Sequence, residues 1–274
     1  MNEILSAALI VGAAGLACSL LLVIAARFMS VKQDEKQQSL RDALPGANCG
    51  ACGYTGCDGY ACALADGSEK KTNLCIPGAD AVSRKISEIL GVEFADVVER
   101  VAFVQCTGDC DAAAEKHIYT GSIKSCSAAN LLWNGAKECT HGCLGYGDCA
   151  SVCPNGAICI ENGIAHVDSR KCTGCGLCAK VCPNHIITLM TDVERVVVTC
   201  SNHEKGAVSR KKCSNACIAC KKCEKACEHD AIHVIDNLAQ IDYSKCVDCT
   251  VCASVCPVGC IKISDLRGIH NYNE

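Results

Sequence analysis

Residues 172–182 read Cys172-Thr173-Gly174-Cys175-Gly176-Leu177-Cys178-Ala179-Lys180-Val181-Cys182, and residues 246–256 read Cys246-Val247-Asp248-Cys249-Thr250-Val251-Cys252-Ala253-Ser254-Val255-Cys256. Both are C-x2-C-x2-C-x3-C. The step of 74 residues from Cys172 to Cys246 also carries Cys143, Cys149 and Cys153 onto Cys217, Cys223 and Cys227 without a gap. It takes Cys126 to Cys200 and Cys139 to Cys213, and non-cysteine positions follow: Ala157-Ile158 to Ala231-Ile232, Asp168 to Asp242, Lys171 to Lys245. A fixed internal period of this kind marks a duplicated structural unit.

The spacing has a chemical reason. Three thiolates at intervals of three residues wrap three iron corners of a cubane, and the fourth cysteine points away to ligate a neighbouring cluster. Zinc sites with four thiolates use two separated C-x2-C pairs instead, and an unbroken ladder crowds too many sulfurs for one tetrahedral ion. In the first unit Cys172, Cys175 and Cys178 are completed by Cys153. The other set, reached by Cys182, lacks its middle cysteine because Tyr146 stands there; Cys139 is the natural substitute, giving Cys139, Cys143, Cys149 and Cys182. In the second unit the sets are Cys246, Cys249, Cys252 with Cys227, and Cys217, Cys220, Cys223 with Cys256, which leaves Cys213 spare. Cys213 is also a possible replacement for Cys217 or Cys220, by analogy with Cys139. The pattern resembles bacterial two-cluster ferredoxins, twice over. Cys153, Cys182 and Cys256 carry the following proline of those proteins, whereas Cys227 precedes Glu228.

The chain has 274 residues, of which 29 are cysteine, with three Phe and one Trp, so aromatic mass for a large core is lacking. Small lobes knitted by clusters fit that composition, because metal binding supplies folding free energy that a thin core does not. An odd cysteine count and tight spacing argue against disulfides and for reduced thiolates in a cytosol. The formal net charge is −4 before any cluster is counted. Nucleic acid is excluded as a partner on that ground.

Ile4 to Ala26 carries no charged residue over 23 positions, long enough for a membrane span. Glu3 precedes it and Arg27 and Lys32 follow, so the positive-inside rule places the bulk of the chain in the cytoplasm, behind a single pass through the cell membrane. The small residues Ala7, Ala8, Gly12, Ala13, Ala14, Gly15, Ala17 and Ser19 suit close packing against another membrane helix. Residues 30–44 read as a polar linker with helical propensity.

Next comes Cys49-Gly50-Ala51-Cys52-Gly53-Tyr54-Thr55-Gly56-Cys57, and then Cys75-Ile76-Pro77-Gly78. Glycines 46, 50, 53 and 56 allow the backbone to curl with its N–H groups toward sulfur. This C-x2-C-x4-C-x17-C pattern resembles the iron-sulfur domain shared by the B subunit of Rnf complexes and the large subunit of corrinoid iron-sulfur proteins. The resemblance implies one 4Fe-4S cluster on Cys49, Cys52, Cys57 and Cys75, with Cys62 a small packed thiol. Val82, Ile86, Ile89 and Leu90 stand at helical spacing within 79–100 and predict an amphipathic helix over that cluster.

Residues 101–138 are a connector. Its Cys106, Cys110 and Cys126, with Cys200, are candidates for a sixth cluster, against buried unliganded thiols. Short apolar segments at 157–158, 186–189, 193–199 and 232–235 predict brief strands. The fold class is α+β: a transmembrane anchor over 1–29, a 4Fe-4S domain over 30–100, the connector, and ferredoxin-like units over 139–192 and 193–274. Lys205, Arg210, Lys211, Lys212, Lys221, Lys222 and Lys225 stand against only Glu204 and Glu224. They form either a dock for an acidic electron carrier or a solvated face that offsets cluster charge.

No nucleophile–base pair, phosphate loop or G-x-G-x-x-G fingerprint is present. Taken along nearly its whole length, the chain resembles the B subunit of the Rnf complex, the ion-translocating ferredoxin:NAD oxidoreductase. That resemblance implies an electron-transfer subunit that accepts electrons from reduced ferredoxin and passes them through at least five 4Fe-4S clusters to partner subunits. A polyferredoxin subunit of a membrane hydrogenase or formate dehydrogenase shares the ladder. A corrinoid-reducing protein shares the Cys49–Cys75 domain, and a zinc-bound scaffold shares only the thiols.

Overall fold

The structure, a computed structural model, describes residues 2–28, 35–119, 123–191 and 195–264. In the first stretch the described side chains are those of residues 9 and 11–25. Helix α1 (Asn2–Phe28) exposes all of these, Leu16 by 74% and Leu22 by 70%. The membrane span expected over Ile4–Ala26 is not met as drawn: among the described residues no helix is long and apolar enough to cross a membrane. Of the expected polar linker, residues 30–34 lie outside the described residues and Glu35 opens the next helix.

Helices α2 (Glu35–Ala43), α3 (Cys57–Ala65) and α4 (Ala79–Leu90) enclose a small core of Leu40, Leu44, Tyr60, Leu64 and Ile86, with Cys57 and Cys75 on its rim. The helix expected over 79–100 stops at Leu90, because Gly91 takes a left-handed conformation (φ 68°) and its N–H bonds back to the Ser87 carbonyl. Gly91 is thus a helix stop that any side chain would strain. The chain then doubles back along α4, where the Val97 N–H donates to Asp80 Oδ1 at 2.9 Å and Ser83 Oγ to the Ala95 carbonyl at 2.8 Å.

The rest is built from two-stranded antiparallel sheets joined by helices of one to two turns. In the first unit these are β1 (Arg100–Val104), α5 (Cys126–Leu131), α6 (Asp148–Ser151), β2 (Ile158–Glu161), β3 (Ile164–Val167), α7 (Leu177–Val181) and β4 (Ile187–Thr191). In the second they are β5 (Arg195–Val198), α8 (Gly206–Lys212), α9 (Lys222–Ala226), β6 (Ile232–Ile235), β7 (Leu238–Ile241), α10 (Val251–Ser254) and β8 (Ile261–Ser264). The hairpins β2–β3 and β6–β7 turn on Asn162-Gly163 and Asp236-Asn237, all at positive φ. Two consecutive positive φ angles are what a tight hairpin turn demands.

The strand that enters each unit pairs with the strand that leaves it. Val104 faces Ile187 across β1–β4, and Val198 faces Ile261 across β5–β8. The first unit therefore begins at β1, inside the segment expected to be a connector. Ile187 to Ile261 is the 74-residue step, but Val104 to Val198 is 94. The structural counterpart of Cys200 is consequently Cys106, not Cys126 as the unbroken period suggests. The twenty extra residues of the first unit lie between Cys106 and Cys139 and include α5.

The two units pack through Phe103 and Val197, each at most 1% exposed, with Met190 against them. A bridge between Ala113 and Cys213 and the hydroxyl pair Thr107–Thr199 at 3.2 Å continue the seam. The first domain joins through Lys180, whose Nζ donates to the Cys49 carbonyl at 2.5 Å. Gly174, at φ 64°, lets the ladder loop close onto β1: a Cβ there would lie 2.3 Å from the Arg100 carbonyl oxygen.

Candidate metal centres

In the first domain Cys49, Cys52, Cys57 and Cys75 are brought together by a loop whose Gly46, Gly50 and Gly53 take φ of 74°, 69° and 89°. Gly56 differs, being extended at φ 170°, and its missing Cβ makes room for Asn48, whose Oδ1 accepts the Cys57 N–H at 2.9 Å. Burial pushes the Cys75 thiol up to about 11, and the neighbouring Cys57, Cys52 and Cys49 push the same way. Cys62 is exposed. A loop that brings four thiols near one another without pairing them as disulfides is suited to thiolate ligation of a cluster.

Cys153, Cys172, Cys175 and Cys178 form the second group. Burial, then Cys172, Cys175 and Cys153, raise the Cys178 thiol to about 12. Backbone N–H groups already aim at its sulfurs, from Ala157 to Cys153 at 3.3 Å and from Ala102 to Cys172 at 3.4 Å. Such N–H···S bonds favour the thiolate and tune a bound cluster's potential.

Of the expected set, Cys139 lines one cavity, whereas Cys143, Cys149 and Cys182 line another together with Cys126. Cys126 is held there by α5, whose first N–H groups, from Cys126 and Ser127, donate to Asp148 at 2.9 and 3.0 Å. Burial raises Cys149 to about 12, with Cys143, Cys126, Cys178 and Cys182 adding to it. The place of the missing middle cysteine is thus filled from the twenty-residue insertion. That insertion is invisible to a constant 74-residue period, which is why the sequence pointed to Cys139.

In the second unit Cys217, Cys220, Cys223 and Cys256 converge, and burial followed by Cys217, Cys220 and Cys256 raises Cys223 to about 11. A fifth thiol, Cys260, is 1% exposed with its sulfur 3.6 Å from that of Cys256, and its hydrogen bond pulls the Cys256 thiol down to about 5. Sequence reasoning left Cys260 unassigned. The signal was there, because the corresponding position of the first unit is Ile186. Cys227, Cys246, Cys249 and Cys252 line one cavity, with the Ala231 N–H on Cys227 at 3.4 Å.

Of the extra cysteines, Cys110 is exposed, whereas Cys106, Cys200 and Cys213, with Cys139, line one further cavity between the units. Among the described residues no three Cys, His, Asp or Glu side chains close tightly enough to hold a single ion. A tetrahedral zinc site would need sulfurs ~2.3 Å from one point. Where a cavity is defined, four thiols border it, the number of ligands that a cubane takes.

Three family comparisons agree with this division. Residues 44–77 match the family described as a putative Fe-S cluster, 165–188 the 4Fe-4S binding domain, and 216–260 the 4Fe-4S dicluster domain. Together with the thiol geometry they define an iron-sulfur electron-transfer protein of the 4Fe-4S ferredoxin type. The chain is 43% identical, over 95% of its length and 78% of the relative's, to the B subunit of the Na(+)-translocating ferredoxin:NAD(+) oxidoreductase complex of Acetobacterium woodii. It is 39% identical to the B subunit of the proton-translocating ferredoxin:NAD(+) oxidoreductase complex of Clostridium ljungdahlii, over 96% of this chain and 93% of that one. The B subunit of the ion-translocating oxidoreductase complex of Methanosarcina acetivorans is 36% identical over 91% and 94% of the two chains. The chain belongs to the B-subunit family of ion-translocating ferredoxin:NAD(+) oxidoreductase complexes.

Proposed function

We propose that the chain is the electron-input subunit of such a complex, taking electrons from reduced ferredoxin and relaying them to partner subunits where NAD is reduced. The observation that carries this reading is the serial placement of thiol groups along two ferredoxin-like units and a third small domain. Five 4Fe-4S clusters would be held by Cys49/Cys52/Cys57/Cys75, Cys153/Cys172/Cys175/Cys178, Cys126/Cys143/Cys149/Cys182, Cys217/Cys220/Cys223/Cys256 and Cys227/Cys246/Cys249/Cys252. When bound they supply one-electron redox centres. The protein's part is to hold the irons, to direct N–H groups at sulfur, and to keep the groups in file by the seams at Phe103 and Lys180.

Entry fits the second unit. Lys205, Arg210, Lys211, Lys221, Lys222 and Lys225 are exposed, and Cys220, also exposed, lies among them. An acidic carrier is steered to such a face, with a rate that falls as salt rises. Anchorage fits the other end: α1 presents apolar side chains to its surroundings on every described side, and the uncharged run from Ile4 to Ala26 is the length of a single membrane pass.

The test is anaerobic reduction of the purified, iron-loaded protein by reduced ferredoxin, followed by the loss of visible absorbance. Reduction is expected to slow several-fold in Lys221→Glu/Lys222→Glu and at high salt. A rate indifferent to both would remove the docking face, and no reduction at all would remove the relay.

Cys126→Ser is expected to lose about four irons, one cubane's worth, and the double variant Cys126→Ser/Cys149→Ser to lose no more than the single. Full iron in Cys126→Ser would take that residue out of its set.

A further inference from the structure

We propose that Cys106, Cys139, Cys200 and Cys213 hold a sixth 4Fe-4S cluster, shared between the two ferredoxin-like units and bridging them. The proposal rests on the electron-relay reading but adds a centre that neither unit can build alone.

Each unit contributes two thiols by the same local device. Cys106 accepts N–H bonds from Gly108 at 3.4 Å and Cys143 at 3.3 Å; Cys200 accepts them from Asn202 at 3.5 Å and Cys217 at 3.4 Å. Asn202 and Cys217 are the counterparts of Gly108 and Cys143 under the 94- and 74-residue steps. Cys139 and Cys213 are likewise 74 apart, and Cys139 receives the Asn202 side-chain amide at 3.7 Å. Paired N–H donors on sulfur also occur at the other candidate sites, and a thiol that serves only to pack does not need them.

The space between them is lined by all four thiols, as the spaces inside the Cys227 and Cys126 sets are lined by theirs, and its charge matches. Two glycines keep it open: a Cβ on Gly142 would lie 3.0 Å from Cys106 Sγ, and one on Gly108 3.2 Å from Cys213 Sγ. Beside it Lys137, only 7% exposed, is fixed by bonds from Nζ to the Gly108 and Gly163 carbonyls, both at 2.8 Å. A buried cation needs a compensating charge, and a cubane with four thiolates supplies about two negative ones.

On loading, the four thiols release four protons as their sulfurs bind iron. An electron arriving from a reduced centre of one unit oxidises that centre and leaves to an oxidised centre of the other, so the balance closes without a further reactant. Position supports that path, because the Cys143 and Cys217 N–H groups that bond Cys106 and Cys200 belong to residues of the adjoining sets.

Iron and acid-labile sulfide are measured per chain in anaerobic wild type and in Cys106→Ser, Cys213→Ser and Cys110→Ser. About 24 irons are expected in wild type, against about 20 if only five cubanes exist, at four irons per cubane. Cys106→Ser and Cys213→Ser should each lose about four, their double variant the same four, and Cys110→Ser none. Wild type saturating at about 20, or folded variants that keep the wild-type iron, would overturn the bridge. In ferredoxin-driven reduction Cys106→Ser should bleach only in part. If even wild type refuses electrons while its iron stands near 24, the relay fails and the sixth site survives. If wild type bleaches fully and Cys106→Ser keeps all its iron and bleaches fully too, the bridge fails and the relay survives.

Discussion

Stripping iron from the anaerobically purified protein with a chelator is expected to abolish its cooperative unfolding transition, leaving a chain that melts gradually. The sheets of the two units have only two strands each, four or five residues long, and an isolated two-stranded sheet is marginal in water. Their helices are one to two turns, below the length at which a helix is stable alone. The cores do not make up the difference. Cys200, Cys213, Cys217, Cys223, Cys252 and Cys260 are among the buried residues of the second unit's core, beside small groups such as Ala113, Ala216 and Ala239. Take away what the sulfurs bind and a large share of the core is left as thiols without the group they were placed to hold, so the folding free energy of binding is lost.

The pH response should change sign with loading. In the metal-free protein, burial is the leading reason that the Cys149, Cys178 and Cys200 thiols are pushed up to about 12 from an ordinary value near 9. A thiol held protonated in the folded state binds more protons than the same group unfolded, so stability falls as pH rises. The contribution of these thiols is present in full below about 9 and drains away up to about 12. The loaded protein must keep its thiolates, so it sheds iron as the solution is acidified. Circular dichroism and iron release across pH check both slopes. A metal-free chain that unfolds as sharply as the loaded one would refute the expectation.

Lys137→Met is expected to destabilise the protein by roughly 2–6 kcal/mol, at about one to three for each of the two carbonyls left without a donor. The Gly108 and Gly163 carbonyls both depend on its Nζ, and methionine fills the volume without replacing either bond. The substitution also removes the cation nearest the cavity between the units. A reduced centre there carries one more negative charge than an oxidised one, so its potential should move to more negative values. Denaturant unfolding and a redox titration followed by electron paramagnetic resonance measure the two effects. A change below about 0.5 kcal/mol, the level of ordinary surface substitutions, would show that Lys137 is not structural.

Much of this molecule was readable from cysteine spacing because cluster ligation imposes its own period. The ladders Cys172–Cys182 and Cys246–Cys256 marked the duplicated unit, and the short strands fell where Ile186-Ile187 and residues 232–235 placed them. The errors came from reading a spatial relation as a linear one. Cys126 and Cys200 share a 74-residue step yet occupy different places, because register is set by the pairing of β1 with β4 and β5 with β8. Cys139 is near Cys143 in sequence, but its sulfur turns to the seam. Neither fact is written in a local motif, since each depends on how one unit packs on the other.

The seam also bears on how the gene can change. Tandem copies in DNA are prone to excision by recombination, and here a loss of one copy would strand Phe103 without Val197 and leave Cys106 and Cys139 facing solvent with half their company gone. The shortened product would not be a smaller working version of the same protein. Once the interface had formed, the doubling became hard to undo.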